Sequence, residues 1–303
     1  MSNFTNFQRK IQELLPNIRV SFNEPLSRHT SFRIGGPAEV MVFPETREQL
    51  AEVLKISALL DQKLVILGAG TNVLAPDEGI MGIVVCLRDA LRELTAVGEN
   101  SIYAAAGVSM AKAALFAANL GLSGMEFAHG IPGSIGGGIF MNAGAYGGEL
   151  SGICRFVDIM DSEGRVRRVS GGDMGFGYRK SCIEGTGDIV LGAEFSLEPG
   201  DPAMIREKMQ ELQQRRRTSQ PLEYPSAGSA FKRPAGGYAA ALIDQAGLKG
   251  YRVGGAAVSE KHAGFVVNLG GATAAEVRSL LCQVSDIVFD KFGIRLEPEI
   301  RIL

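Results

Sequence analysis

Apolar residues recur at helical spacing in several stretches and as short unbroken runs in others. The opening FTNFQRKIQELL predicts a short amphipathic helix ending near Pro16. The apolar run AEVMVFP follows a polar, turn-rich PLSRHTSFRIGG. Thr46 starts a capping box with Gln49, and Leu50, Val53 and Leu54 continue at helical spacing. KLVILGAG is a buried strand entering a glycine turn, and GIVVCL is a second strand, so residues 33–87 form a small α/β unit. Ser109 is the N-cap of AKAALFAANLGL, with Gly121 as its stop. CRFVDIM and RVRRVS flank the turn DSEG and predict a hairpin, and DIVLGAEFSLEP is a further strand. Residues 90–198 are therefore an α+β unit rich in antiparallel strands. EPGDP is the best linker, after which Asp201 caps a helix with Pro202 in its first position. The last unit has helices near 238–247 and 273–290, the second opened by a Thr273/Glu276 capping box, and closes on strand-like IRLEPEIRIL.

Composition narrows the classes. With 303 residues, 46% hydrophobic and 21% charged, the chain is an ordinary globular sequence of two or three domains. A net charge of −2 gives no basic field for nucleic acid or an anionic membrane, so any anion must be held by local groups. Cys86, Cys154, Cys182 and Cys282 have no metal-like spacing and are expected to be reduced and mostly buried. No metal site is expected. Neither a signal-type N-terminus nor an apolar run of about 18 residues is present, so a cytoplasmic protein is expected. A monomer is expected separately.

Two glycine-rich segments carry the chemistry. LGAGTNVL follows a strand, and Gly68 and Gly70 begin a G-x-G pattern, but Val73 stands where a dinucleotide fingerprint needs glycine or alanine. Pro76 and Gly79 forbid the long helix that would hold a pyrophosphate, and no Gly-Lys-Ser/Thr follows for a Walker loop. A turn of successive N–H groups able to bind an anion remains. The second segment, GIPGSIGGGIFMNAGAYGGE at 130–149, has glycine at eight of its twenty positions. Pro132–Gly133 and Gly136–Gly138 have turn composition, Ser134 and Asn142 add short hydrogen-bonding side chains, and Gly144 and Gly147 can take positive φ beside a ligand. Together the two segments could wrap an elongated dinucleotide.

LGAGTNVL, GIPGSIGG…MNAGAYGGE, GYRKS, SAGSAFKRP and LEPEIR, in this order from about residue 30 to the end, resemble the UDP-N-acetylenolpyruvoylglucosamine reductase family of peptidoglycan synthesis. The resemblance implies an α+β chain. An FAD-binding fold of the vanillyl-alcohol-oxidase (PCMH-type) class would occupy two α+β subdomains, 1–88 and 89–200. A C-terminal α+β substrate domain, 201–303, would return its terminal strand toward the flavin. FAD would be bound by Gly68, Ala69, Gly70, Thr71, Asn72 and Val73, and by Gly130, Pro132, Gly133, Ser134, Gly136, Gly137, Asn142, Ala143 and Gly144. With no histidine in the turn GAGTN, the FAD is expected to be non-covalent. The third domain is of the family's compact type.

The implied reaction reduces the enolpyruvyl C=C of UDP-N-acetylglucosamine enolpyruvate, with NADPH as co-substrate. Charge then develops on the carboxylate side, and the adjacent carbon needs a proton. Arg179 can grip a carboxylate through two parallel hydrogen bonds, although the commoner fate of such an arginine is a structural ion pair. The family assigns Glu299 to the enol and Ser229 to proton donation. By composition alone Ser229 is a turn residue, with Ser226 as its confounder. In a regular strand Glu297, Glu299 and Arg301 share one face and Ile300 and Ile302 the other. The resemblance further implies Tyr178, Lys232, Arg233, His262 and Arg301 at the substrate, and Lys232 is also a candidate neighbour of Ser229. Two rivals share the scaffold: a flavin-linked oxidase passing electrons to oxygen, and a non-catalytic sugar-nucleotide sensor.

Overall fold

The computed structural model describes residues 5–88 and 90–303. The chain divides into two compact units. The first comprises the segment through Phe22, Glu39–Ala69 and Met81–Arg215; the second comprises Asn23–Ala38, Gly70–Ile80 and Arg216–Leu303.

The first unit contains most of a four-stranded sheet, in the order Arg19–Pro25, Pro37–Phe43, Ile80–Cys86, Leu64–Leu67. Its last two strands are parallel, with Leu64 opposite Ile83. Helix Arg47–Leu59 lies in the chain between the strands Pro37–Phe43 and Leu64–Leu67. Thr46 caps it by accepting from the Gln49 N–H, but the expected capping box is only half formed, because the Gln49 side chain accepts from the Glu45 N–H at 2.6 Å instead. A five-stranded antiparallel sheet follows, in the order Val166–Ser170, Cys154–Met160, Ile189–Ser196, Ser101–Ala105, Leu94–Val97. The DSEG turn closes the expected hairpin, with Met160 opposite Val166. Ser109 caps helix Met110–Asn119, and Gly121 follows its end with φ 71°. One apolar core built from Val40, Val53, Val85, Ile102, Ile139, Val157 and Phe195 fills this unit.

The second unit has its own core, with Phe32, Leu74, Phe231, Ile243, Val266, Leu280 and Val284 among its members. Helix Ala274–Phe292 packs there, its capping box between Thr273 and Glu276 complete. A four-stranded antiparallel sheet runs in the order Ser226–Ser229, Phe265–Asn268, Ala256–Val258, Arg252–Val253. The chain end is less regular than the sequence pattern predicts. Only Arg301–Ile302 is strand, paired parallel with Val73–Leu74 in a two-stranded sheet. With a neighbour on one side only, the alternation decays: Ile300 is buried but Ile302 is 50% exposed. The cysteines also depart from expectation. Cys86 is buried and Cys154 half-buried, but Cys182 and Cys282 are exposed. No helix among the described residues is long and apolar enough to cross a membrane.

Candidate functional site

In the first unit the glycine-rich segment is mostly packed against its own chain. Gly136–Gly138, read from composition as turn residues, lie inside helix Ile135–Phe140. Glycine is needed there for close approach: a Cβ at Gly136 would sit 2.9 Å from the Ala106 Cβ, and one at Gly138 would sit 2.7 Å from the Met110 Sδ. The N–H groups of Ile135 and Gly136 donate to Val108 and Ala106 carbonyls at 2.8 and 2.9 Å. Gly144 does not take positive φ; its constraint is the backbone and side chain of 148–149, within 2.7 and 2.8 Å of an added Cβ. Positive φ falls instead on Gly133, Gly147 and, unusually, on Asn142 (42°) and Tyr146 (54°).

What stays open is narrower. Gly137 is exposed, and a Cβ there would meet only the Ser134 hydroxyl at 3.7 Å. Ser134 is the buried N-cap residue of that helix, yet its side chain makes no capping bond. A Cβ at Gly68 would lie 2.9 Å from the same hydroxyl, so the strand end Gly68–Ala69 and Ser134 converge. Gly130, Pro132 and Gly133 lead into this point, where Gly133 accepts from the Met110 N–H at 3.0 Å. Immediately upstream, the His129 Nδ1 is buried with no hydrogen-bond partner, and burial pulls the imidazole below its usual range.

Asn142 and Ala143 turn the chain toward GYRKS. The Asn142 side chain donates to the Gly177 carbonyl at 3.1 Å and accepts from the Ser151 N–H at 2.9 Å. Buried Ser181 donates to the Phe140 carbonyl at 2.8 Å. These bonds brace a tight turn in which Gly177 and Lys180 exchange backbone hydrogen bonds around Tyr178 and Arg179. Arg179 has φ 56°, a region usually left to glycine or asparagine. Its guanidinium lies 5.1 Å from the Tyr178 ring and reaches the Gly144 carbonyl at 3.5 Å. A charged side chain held in strained backbone is a mark of functional turns.

In the second unit, three chain segments are joined by hydrogen bonds. The turn Gly70–Val73 is the first. Gly70 is buried with φ 67°, and an added Cβ would collide with the His29 carbonyl group. Asn72 donates its side-chain amide to the Glu299 carbonyl at 3.2 Å and accepts from the Arg301 N–H at 3.1 Å. Val73 is paired with Arg301. The second segment carries Ser229. The Glu299 N–H donates to Ala230 at 2.9 Å, the Lys232 N–H donates to Glu297 at 2.8 Å, and Phe231 bridges Pro298. The serine hydroxyl, the glutamate and the anion-type turn are thus three parts of one backbone-bonded cluster.

A bulge aims Ser229. Ser226 opposes Val267 and Ser229 opposes Phe265, so three steps on one strand match two on its partner. Gly228, φ 76°, absorbs the extra residue. Residues three apart would normally face opposite sides of a strand; here Ser226 and Ser229 share one face. Both Ser229 and Glu299 are half-buried.

The expected substrate-side cations have partners within the chain. The Lys232 ammonium pairs with the Glu297 carboxylate, which draws it toward that residue. Arg233, exposed, stacks 4.5 Å over the Tyr238 ring. His262 accepts from the Gly264 N–H through Nδ1 at 3.1 Å, which leaves the ring proton on Nε2. Burial, aided by Lys249, lowers its basicity, so His262 is a neutral donor near pH 7. No cluster of metal-ligating side chains occurs among the described residues. Ser31, which sequence reasoning left unassigned within the polar stretch 25–36, is the missed member. Its N–H donates to Gly70 at 2.9 Å and its hydroxyl to Ser226 at 2.6 Å.

Comparison with known proteins gives two family-model matches. Residues 220–303 match the model of the UDP-N-acetylenolpyruvoylglucosamine reductase C-terminal domain, and residues 38–170 match an FAD binding domain. The UDP-N-acetylenolpyruvoylglucosamine reductase of Caldanaerobacter subterraneus is 47% identical over 97% of both chains. That of Lachnoclostridium phytofermentans is 44% identical over 97% of this chain and 96% of its own. The crystal structure of UDP-N-acetylenolpyruvylglucosamine reductase from Thermus caldophilus superposes with a TM-score of 0.79 at 34% identity, covering 94% of this chain and 98% of that one.

Proposed function

This chain belongs to the UDP-N-acetylenolpyruvoylglucosamine reductase family, and from that premise we propose how its own residues perform the reduction. It is an FAD-dependent oxidoreductase of peptidoglycan precursor synthesis with an α+β FAD-binding fold. The residues present suit a non-covalent dinucleotide. Gly137 leaves an open surface, the Ser134 hydroxyl is not spent on its helix, and the turn Gly68–Val73 offers N–H groups but no histidine or cysteine for a covalent link. We assign the cradle to Gly68, Ala69, Gly70, Thr71, Asn72 and Val73 with Gly130, Pro132, Gly133, Ser134, Gly136, Gly137, Asn142, Ala143 and Gly144. Asn142 contributes by shaping the Arg179 turn, since its amide is already engaged. When bound, FAD supplies hydride-transfer chemistry, with NADPH as the source and the methylene carbon of UDP-N-acetylglucosamine enolpyruvate as the acceptor.

The protein's task is the charge and the proton. As the methylene carbon gains hydride, the alkene electron pair moves toward the carboxylate and an enolate develops. Arg179 opposes that charge from the turn 177–180. Glu299, fixed through its N–H to Ala230 and its carbonyl to Asn72, holds the enol side. The Ser229 O–H protonates the adjacent carbon, and the new C–H bond replaces the O–H bond. His262 presents a neutral Nε2–H to the substrate, while Tyr178, Lys232, Arg233 and Arg301 line the path of the sugar nucleotide. Functionally, residues 1–88 and 89–200 serve FAD and 201–303 serve the substrate. The observation that carries this proposal is the 2.9 Å bond from Glu299 to Ala230, next to Ser229, which ties the acid and the hydroxyl to one backbone ladder.

The test separates the half-reactions. Purified protein should be yellow and bleach with NADPH, and the enolpyruvyl substrate should restore the colour anaerobically. Ser229→Ala should keep bleaching and slow recolouring by about 10²-fold or more, the range of a lost general acid. Recolouring at wild-type speed in that variant removes Ser229 as proton donor. NADPH consumption that ignores the substrate and follows oxygen would make the protein an oxidase.

A further inference from the structure

Ser31 belongs to none of the groups discussed so far as cofactor or substrate ligands, yet it is the point where two of them meet. Its backbone N–H donates to the Gly70 carbonyl at 2.9 Å. Its hydroxyl donates to the Ser226 carbonyl at 2.6 Å, with the Gly70 oxygen a more distant 3.3 Å away. Two hydrogen bonds through Ser31 therefore link the turn at Gly70 to the strand that ends in Ser229.

That strand needs an anchor. Between Ser226 and Ser229 it carries the extra residue of the bulge, and Gly228 sits in a left-handed conformation with nothing within 4 Å of its Cβ position. Side-chain packing does not hold Gly228 in place. The bulge is bracketed instead at its two ends: by the pairing of Ser229 with Phe265, and by the pairing of Ser226 with Val267 together with the Ser31 bond to the Ser226 carbonyl. If the Ser226 end drifts, the extra residue can migrate along the strand, and a shift of one position turns Ser229 to the opposite face. Ser31 is itself well anchored. The next residue, Phe32, is fully buried, and its carbonyl accepts from the Asn268 side chain at 3.1 Å. The segment Ser31–Phe32 therefore grips both the Ser229 strand and its partner Phe265–Asn268.

The geometry points to Ser31 as a positioning residue: its hydroxyl pins the bulge so that Ser229 delivers its proton, and its N–H ties that pin to the cofactor turn. This inference rests on the proton-donor role proposed for Ser229. The two bonds can be cut separately, because a side-chain substitution leaves the N–H bond to Gly70 in place.

The experiment uses full-length protein carrying FAD. In Ser31→Ala, FAD content and the rate of NADPH bleaching should stay within about 2-fold of wild type. Anaerobic recolouring by the enolpyruvyl substrate should slow by about 10-fold, the equivalent of one lost hydrogen bond of ordinary strength. Ser31→Thr, which restores the hydroxyl, should recover most of it. Amide exchange across residues 226–232 should quicken by a similar factor, with the strand 64–67 unchanged. Adding Ser31→Ala to Ser229→Ala should slow recolouring no further. Wild-type recolouring in Ser31→Ala while Ser229→Ala is crippled overturns the positioning role alone. Parallel loss of FAD, bleaching and recolouring, unrescued by threonine, reduces Ser31 to a structural residue and also overturns it. If Ser229→Ala recolours normally, the proton-donor assignment falls, and the role of Ser31 falls with it.

Discussion

Gly228 offers a direct measurement of the bulge on which the position of Ser229 depends. Its φ of 76° lies where a Cβ is disfavoured, and the space around that Cβ is open to 4 Å. Gly228→Ala therefore has no steric term from neighbours, only a backbone term. Holding a non-glycine residue in the left-handed region costs about 1–2 kcal/mol. Alanine also narrows the unfolded ensemble, which returns about 0.4–1 kcal/mol. The net is a destabilisation of about 1 kcal/mol, or a fall of roughly 2 °C in Tm for a chain of this length. Gly228→Asn should lose less, because asparagine visits this region readily. The Ser31 and Phe265 contacts bracket the bulge, so the strain should appear as lost stability and not as a slipped register. Differential scanning calorimetry of the FAD-loaded protein reads the order: glycine most stable, asparagine next, alanine least. An alanine variant as stable as the parent, or more so, would refute the reasoning, because the backbone would then not hold positive φ and the two serines would not share a face.

Two further predictions concern stability. In the first unit Arg168 contacts Asp158 at 2.9 Å and Glu194 at 3.4 Å, and Arg155 reaches Glu194 at 3.0 Å. The Glu194 side chain is 5% exposed, whereas the Arg155 and Arg168 side chains are about half exposed. Replacing Arg155 and Arg168 together by alanine should therefore cost about 2–3 kcal/mol by stranding the buried Glu194 carboxylate, and Glu194→Gln only about 1 kcal/mol, because the arginines can turn to water; equal losses in urea titrations would contradict this. His129 and His262 both hold fewer protons folded than unfolded just below the usual value of 6.5, so stability is full above that pH and is lost as pH falls toward their depressed folded values. The Tm should drop from pH 7.5 to 5.5, less steeply in a His129→Gln/His262→Gln variant, and an unchanged slope there would remove these two groups as the cause.

Local signals were readable where a short stretch specifies its own geometry. The Ser109 and Thr273 caps, the DSEG hairpin, the Asp201–Pro202 helix start and the stop at Gly121 all rest on bonds within a few residues. The half-formed box at Thr46 shows the limit of that logic. Two N–H groups competed for one glutamine side chain, and sequence spacing cannot rank them. Long-range chemistry was less legible. Ser31 and Ser226 are 195 positions apart, and Asn72 and Glu299 are 227 apart. The bulge leaves only a glycine in a loop-like A-G-S as its trace, and the strained φ of Arg179 leaves none. The family motifs pointed to Arg179, Ser229 and Glu299; the backbone bonds give a physical reason for the last two to act together.

The glycines of residues 130–149 fall into two physical classes, and only one is compatible with the proposed cofactor contact. At Gly136, Gly138, Gly144 and Gly148 the Cβ position is already occupied by Ala106, Met110, residues 148–149 and the Phe127 ring. Side chains are missing there because helix, loop and hairpin pack backbone against neighbour. At Gly137 and Gly147 the same position is open, and neither packing nor, at Gly137, positive φ demands glycine. A residue that loses the most conformational freedom on folding is retained at Gly137 without a structural benefit. The surface next to the uncommitted Ser134 hydroxyl is therefore where the proposed cradle has room, with tightly packed glycines around it. Asn142, whose side-chain amide braces the Arg179 turn through the Gly177 carbonyl, joins that turn to the segment proposed as the cradle.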